Sequence, residues 1–280
     1  MKWQRGYQSS NVEDRRGSGG GRLPGGRLGI GAFVILLILS LVFKRDFLSL
    51  AGGLAGDAPM ADPGAEIAST PGEDSTKQFV SFVLDDAQQT WSAIFSANNA
   101  QYEDARLILF RDGVQSACGF AESATGPFYC PGDSQVYIDL GFYDELRDRF
   151  GAPGDFAEAY VLAHEIGHHV QRLLGTESEV RRAQQGNPER ANQYSVALEL
   201  QADCYAGVWA HAAQGRGLLE VGDVEEGLAA AAAVGDDRIQ RMGGGFVNPD
   251  AFTHGSAADR TAWFKRGFES GDPGRCELRR

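Results

Sequence analysis

The stretch that decides the reading is Asp155-Phe-Ala-Glu-Ala-Tyr-Val-Leu-Ala-His164-Glu165-Ile166-Gly167-His168-His-Val-Gln-Arg-Leu-Leu174. Apolar residues recur through it at helical spacing, Asp155 is a plausible N-cap, and Gly175 stands where a helix would stop. His164 and His168 are four residues apart. Four steps of about 100° bring them to within about 40° on one helix face, so both imidazoles can reach one ion. Glu165 follows the first histidine on the same broad side, where it can take a proton from a metal-activated water. Tyr160, Val161, Leu162, Ile166 and Val170 would bury this helix in a core.

A catalytic zinc site needs a third protein ligand and an open position. The best source is Glu199-Leu-Gln-Ala-Asp203, on a long helix expected from about Gln193 to Gln214. Glu199 and Asp203 again share a face, set among Val196-Ala-Leu and Cys-Tyr-Ala-Gly-Val-Trp209. Carboxylates in an apolar stretch need partners, and a cation is the strongest available. Glu199 is therefore read as the third zinc ligand. Asp203 is expected to accept the other ring N–H of a ligating histidine. Together these residues point to hydrolysis by a metal-activated water, with Glu165 as general base and zinc as cofactor.

Outward from the helix pair, Lys77 to Phe95 has helical periodicity. Leu107 to Phe110 and Gln135 to Leu140 suit short strands. Val221 to Gln240 suits one or two helices, and Asp259 to Phe268 a last one. Few strands among many helices indicate an α+β domain, mostly helical with a small sheet, over residues 76–280.

Ahead of it, residues 1–27 are rich in Gly, Arg and Ser and read as a flexible tail, and residues 49–75 read as a linker. Between them Leu28 to Phe43 carries no charge. Its 16 residues span about 24 Å as a helix against a hydrocarbon core of about 30 Å, and flanking residues can extend it, so 28–48 is expected to be one transmembrane anchor. Lys2, Arg5, Arg15, Arg16, Arg22 and Arg27 precede the run, which by the positive-inside rule puts the N-terminus in the cytoplasm and the domain outside, at a bacterial inner membrane. The net charge is −12; residues 1–45 hold eight Lys/Arg and two Asp/Glu, leaving 18 basic and 36 acidic residues beyond them. So acidic a domain repels phosphate backbones, which excludes nucleic acid as the expected partner.

Cys118, Cys130, Cys204 and Cys276 all fall on the expected outer side, where an even number suggests two disulfides. Cys118–Cys130 would close a short loop and Cys204–Cys276 would tie the ligand helix to the C-terminus. A Cys204 thiolate ligand is the alternative, although it would face about 140° away from Glu199. His211 lies about 18 Å along the helix from Glu199 and cannot share its ion. His169 is rotated away from His164 and is expected to pack nearby. His254, in a loop, is free to approach the site as a catalytic oxyanion stabiliser or to serve as a turn residue. Tyr129 and Tyr137 are weaker candidates for that role.

His164-Glu-x-x-His168 with Glu199-x-x-Ala-Asp203 resembles the gluzincin peptidases. More specifically, the chain resembles the bacterial "putative neutral zinc metallopeptidase" family. The segments that carry the resemblance are Lys2-Trp3, Ser10 to Gly17, Gly126 to Pro131, Gln201 to Trp209, Thr253-His254-Gly255 and Arg260-x-x-Trp263-Phe264. The resemblance implies a zincin-like metallopeptidase domain behind one membrane anchor, acting on a peptide or protein substrate. An inactive scaffold on the same fold and a zinc hydrolase of non-peptide bonds are the competing readings. The intact Glu165 argues against the scaffold, which needs no base beside the metal. The sequence does not set the oligomeric state.

Overall fold

The computed structural model describes residues 1–17 and 71–278. The expected anchor at 28–48 lies outside the described residues. Among the described residues no helix is long and apolar enough to cross a membrane.

The chain runs β1 (Val12–Asp14), α1 (Pro71–Ala97), β2 (Arg106–Phe110), β3 (Gly113–Ser116), β4 (Gly119–Glu122), β5 (Phe128–Cys130) and β6 (Gln135–Asp139). The helices α2 (Gly141–Asp148), α3 (Asp155–Leu174), α4 (Thr176–Gly186), α5 (Ala191–Gly215), α6 (Asp223–Ala233), α7 (Asp236–Met242) and α8 (Ala257–Ser270) follow. The architecture is mostly helical α+β with a small sheet, as expected. The sheet order is β1-β2-β6-β5, with β3 and β4 forming a separate hairpin. β1, β2 and β6 are parallel and β5 is antiparallel to β6.

β2 reads as an unbroken apolar run because both its faces are covered. Leu107 and Leu109 join Val136 and Ile138 of β6 in the main helical core. Ile108 and Phe110 point the other way, into a smaller core with Val114, Tyr137 and Cys130. On α1, Phe79, Val80, Val83, Leu84, Ala87 and Trp91 are all buried, the stripe that its periodicity announces. α1 is already helical from Pro71, within the stretch read as linker. Asp155 is the first helical residue of α3 rather than its cap, which is Gly154.

Glycine sets how closely the helices meet. A Cβ on Gly167 of α3 would lie 2.9 Å from the carbonyl oxygen of Ala202 on α5. Similarly, Gly207 of α5 and Gly267 of α8 face each other's helix backbones at distances that no Cβ allows: 2.1 Å to Phe264 O and 1.9 Å to Cys204 O. These contacts bring α3, α5 and α8 together around one point.

The composition of residues 1–27 suggests a flexible tail, and the structure corrects this for residues 1–17. Trp3 packs edge-on against Phe79, and Tyr7 against Phe82, both at 5.5 Å. Tyr7 and Ser9 donate their hydroxyls to Asp85 at 3.0 and 2.7 Å. β1 then pairs with β2, Val12 opposite Leu107 and Asp14 opposite Leu109. Asp14 is clamped by Arg16 and by Lys77, which hold its carboxyl well below the usual range against the opposing effect of burial. A few aromatic anchors thus order a segment whose overall composition is that of a linker. A tail in the cytoplasm and a domain outside would place β1 and β2 on opposite sides of a membrane. One sheet holds both, so a single crossing between residues 17 and 71 does not fit this fold.

Deleting residues 2–16 should uncover the β2 edge and the Phe79–Phe82 face of α1. For a domain of this size each kcal/mol lost lowers the melting midpoint by about 2–4 °C. We expect a drop of several degrees by scanning calorimetry; an unchanged midpoint would show that the segment contributes nothing to the domain.

Candidate metal centre

α3 and α5 approach closely at Gly167 and Ala202, so residues on either side of that contact face one another. On α3 these are His164 and His168; on α5, Glu199 and Asp203. Nε2 of His164 is 3.2 Å from Oε2 of Glu199, and Nε2 of His168 is 3.4 Å from Oε1. The two imidazoles stand edge to face, 4.8 Å apart. One ligand atom from each of the three residues lies within 4.8 Å of those of the other two. Zinc bonds to nitrogen and oxygen are about 2.0–2.2 Å, which in a tetrahedron separates neighbouring donors by about 3.3 Å. Two imidazole nitrogens and a carboxylate at 3.2 and 3.4 Å therefore fit zinc in donor type and in spacing.

The other nitrogen of each ring is also held. Nδ1 of His164 donates to Oδ1 of Asp203 at 2.8 Å, the partnership expected for that carboxylate. Asp203 has no exposed side-chain surface and is gripped by Arg260 of α8, Nε to Oδ2 at 2.8 Å and Nη2 to Oδ1 at 3.0 Å. The Tyr160 hydroxyl donates to the same carboxylate. Nδ1 of His168 donates to Oε1 of Gln171 at 2.9 Å. Burial disfavours charge here, yet the neighbours overcome it. Asp203 and Glu199 lift His164 to about 10, and Glu199 also lifts His168. The two histidines in turn hold Glu199 well below the usual carboxylate range.

Glu165 is buried and makes no hydrogen bond to protein among the described residues. It lies in the wall between two cavities. The first, of about 350 Å³, is lined by His164, Glu165, His168 and Glu199 together with Tyr129 and His254. The second, of about 310 Å³, also borders His164 and Glu165, and its lining includes the apolar Phe142, Phe150, Val161 and Ile239 beside the charged Glu145, Arg149 and Arg260.

His254 does reach this site. Its Nδ1 is 3.2 Å from Oδ1 of Asp236, whose other oxygen accepts the backbone N–H groups of Thr253, His254 and Gly255. The loop is thereby wrapped around one carboxylate, with His254 half-exposed at the cavity rim. Tyr129 also lines the cavity, but its hydroxyl meets Nδ1 of His169 at 3.0 Å, and burial pushes it up to about 12. Tyr137 binds Asp133 at 2.8 Å and is not part of the cavity wall. His169 contacts the Glu103 carbonyl, and His211 contacts the Phe268 carbonyl. In a second acidic trio, Asp155 and Asp223 receive the amino group of Met1 at 2.6 and 3.3 Å, and Glu226 accepts the backbone N–H of Phe156.

Cys118 is bonded to Cys130, and Cys204 to Cys276. With its sulfur in a disulfide, Cys204 is not a metal ligand. Arg260, Gln171 and Asp236 carry no role in the sequence reading. Arg260 had a signal: a buried Asp203 requires a countercharge as well as a histidine.

A family model described as "Putative neutral zinc metallopeptidase" matches residues 1–278. The chain belongs to this family. It is 47% identical over 285 residues to the uncharacterized protein YpfJ of Escherichia coli (strain K12), covering 99% of this chain and 98% of that one. It is 49% identical over 187 residues to the uncharacterized protein Rv2575 of Mycobacterium tuberculosis (strain ATCC 25618 / H37Rv), covering 63% of this chain and 62% of that one. No solved structure matches the chain.

The raised histidines make metal uptake a proton-releasing event. At pH 7 His164, lifted to about 10, is protonated in the metal-free protein, and a ligand nitrogen must be deprotonated. Zinc affinity should therefore rise with pH through neutrality. Titration calorimetry in two buffers of different ionisation heat should show proton release on binding. Identical heats in both buffers would contradict the protonation described here.

Proposed function

We propose that this protein is a zinc peptidase in which His164, His168 and Glu199 hold the ion and Glu165 is the general base. The observation that carries the reading is the position of Glu165: a buried carboxylate, free of protein hydrogen bonds among the described residues, beside a donor set with zinc spacing. Zinc, when bound, supplies a Lewis acid that acidifies water and polarises a carbonyl group. Glu165 takes the proton of the attacking water and returns it to the departing amine. Asp203, neutralised by Arg260, keeps the proton of His164 on Nδ1 so that Nε2 stays a ligand. His254, pinned through Nδ1 by Asp236, presents its other nitrogen at the cavity rim, where it can donate to the developing oxyanion.

An extended peptide suits the two cavities, because His164 and Glu165 border both and a chain crossing from one to the other passes the base. Two disulfides support an oxidising compartment, hence an extracytoplasmic domain. The apolar run at 28–43 supports a membrane tether, with residues 1–17 on the same side as the domain.

Glu165→Gln tests the mechanism. The amide keeps the shape and cannot accept a proton, so peptide cleavage should fall by about 10²–10⁴-fold. Zinc content, measured on the same preparation by elemental analysis, should be unchanged. Undiminished cleavage with zinc retained would remove Glu165 as the base.

A further inference from the structure

His164 and His168 are oriented by partners of different kinds. His164 leans on an ionised carboxylate, whereas His168 leans on a neutral amide, and that amide continues into a second one. Gln171 and Gln201 are 1% and 3% exposed, so each polar atom of their side chains must find a partner inside the protein. They do so in a single direction. Gln171 Nε2 donates to the Leu198 carbonyl at 2.7 Å and to Gln201 Oε1 at 3.1 Å. Both its amide protons are spent, and its Oε1 is left for His168 Nδ1 at 2.9 Å. Turning the amide over would set its oxygen against the Leu198 carbonyl, acceptor against acceptor. A proton of His168 is thereby fixed on Nδ1, which leaves Nε2, facing Glu199, as the nitrogen that can bind an ion. Gln201 Nε2 then donates to the carbonyl of Cys276 at 3.0 Å. Cys276 ends the turn Pro273–Cys276 and is bonded to Cys204, on the helix that carries Glu199.

We propose that Gln171 and Gln201 are positioning residues of the metal centre, a two-amide relay that fixes the tautomer and orientation of His168 and couples them to the disulfide-held C-terminal turn. The proposal rests on His168 being a metal ligand. It explains why two amides are buried beside His168, Gln171 at the cavity wall and Gln201 outside it, and why Gln171 is bonded to the carbonyl of Leu198, the residue just before Glu199. One amide thus sets the position of a ligand on α3 against the backbone that carries a ligand on α5.

The test is zinc affinity by chelator competition on the purified, oxidised chain, with apo-protein melting recorded alongside. Gln171→Met keeps volume and removes the acceptor, and should weaken zinc binding by about 10–100-fold, the range for loss of a ligand's hydrogen-bond partner. Gln171→Glu returns an acceptor to Nδ1 but sets its second oxygen against the Leu198 carbonyl, so it should recover part of that loss. Gln201→Met should produce a smaller loss. The paired change Cys204→Ala, Cys276→Ala should weaken binding in the parent chain but add little to Gln201→Met, because the link to the turn is already cut. Parent-level affinity in Gln171→Met overturns the relay. Equal losses in Gln171→Met and Gln171→Glu reduce Gln171 to a packing residue and also overturn it. Full additivity of Gln201→Met with the cysteine pair overturns the coupling to the turn. A parent chain that binds no zinc overturns the metal-centre reading itself, which separates that failure from failure of the relay.

Discussion

Asp203 is a carboxylate with no exposed side-chain surface, and three helices are organised by what it takes to keep it ionised there. Removing a charge from water is costly, and one left without its partner in a core destabilises a protein by about 3–5 kcal/mol. Here the compensation is complete. Arg260 supplies a two-pronged countercharge from α8, Tyr160 a hydroxyl from α3, and His164 a ring N–H from the same helix. Burial pushes Asp203 up, but Arg260 and His164 prevail and hold it below its ordinary value. The interaction is therefore retained well into the acid range. The same bonds that satisfy the charge aim Nε2 of His164 toward Glu199, so fold stability and ligand geometry depend on one cluster.

That cluster needs helices closer than ordinary side chains permit, and glycine supplies the approach. Gly167 lies between the two histidines of the motif and meets Ala202, which lies between Glu199 and Asp203. This close approach of α3 to α5 thus lies among the four residues that form the site. Gly207 and Gly267 perform the same service between α5 and α8, and so bring Arg260 within reach of Asp203. The site is built on helices throughout, except for His254, which a loop tied to Asp236 carries in from the side.

Much of this was legible because it is periodic. The helices bearing His164, His168, Glu199 and Asp203 announce themselves by spacing, and β2 and β6 by runs of apolar residues. The role of Asp203 followed from the chemistry of a buried carboxylate. What was illegible depends on contacts between distant segments. Arg260 and Gln171 look like ordinary surface residues of amphipathic helices until α5 packs against both. β5 is three residues long and exists only because β6 offers an edge. Residues 1–17 illustrate the limit of composition: glycine, arginine and serine dominate the count over residues 1–27, but Trp3, Tyr7 and Val12 decide the structure by finding Phe79, Phe82 and β2.

The β1–β2 pairing has a consequence for how the chain acquires its shape. Val12 waits for Leu107, a partner made after a long intervening stretch has been synthesised, and Cys204 waits for Cys276, 72 residues later. Contacts so distant along the chain are entropically expensive to form early, and they slow folding relative to local helix pairing. The helices α3 and α5 can meet as soon as both have emerged, while the first strand and the last turn close over them from opposite ends of the sequence. Assembly is then completed only when residues as far apart in the chain as Val12 and Cys276 are both at hand.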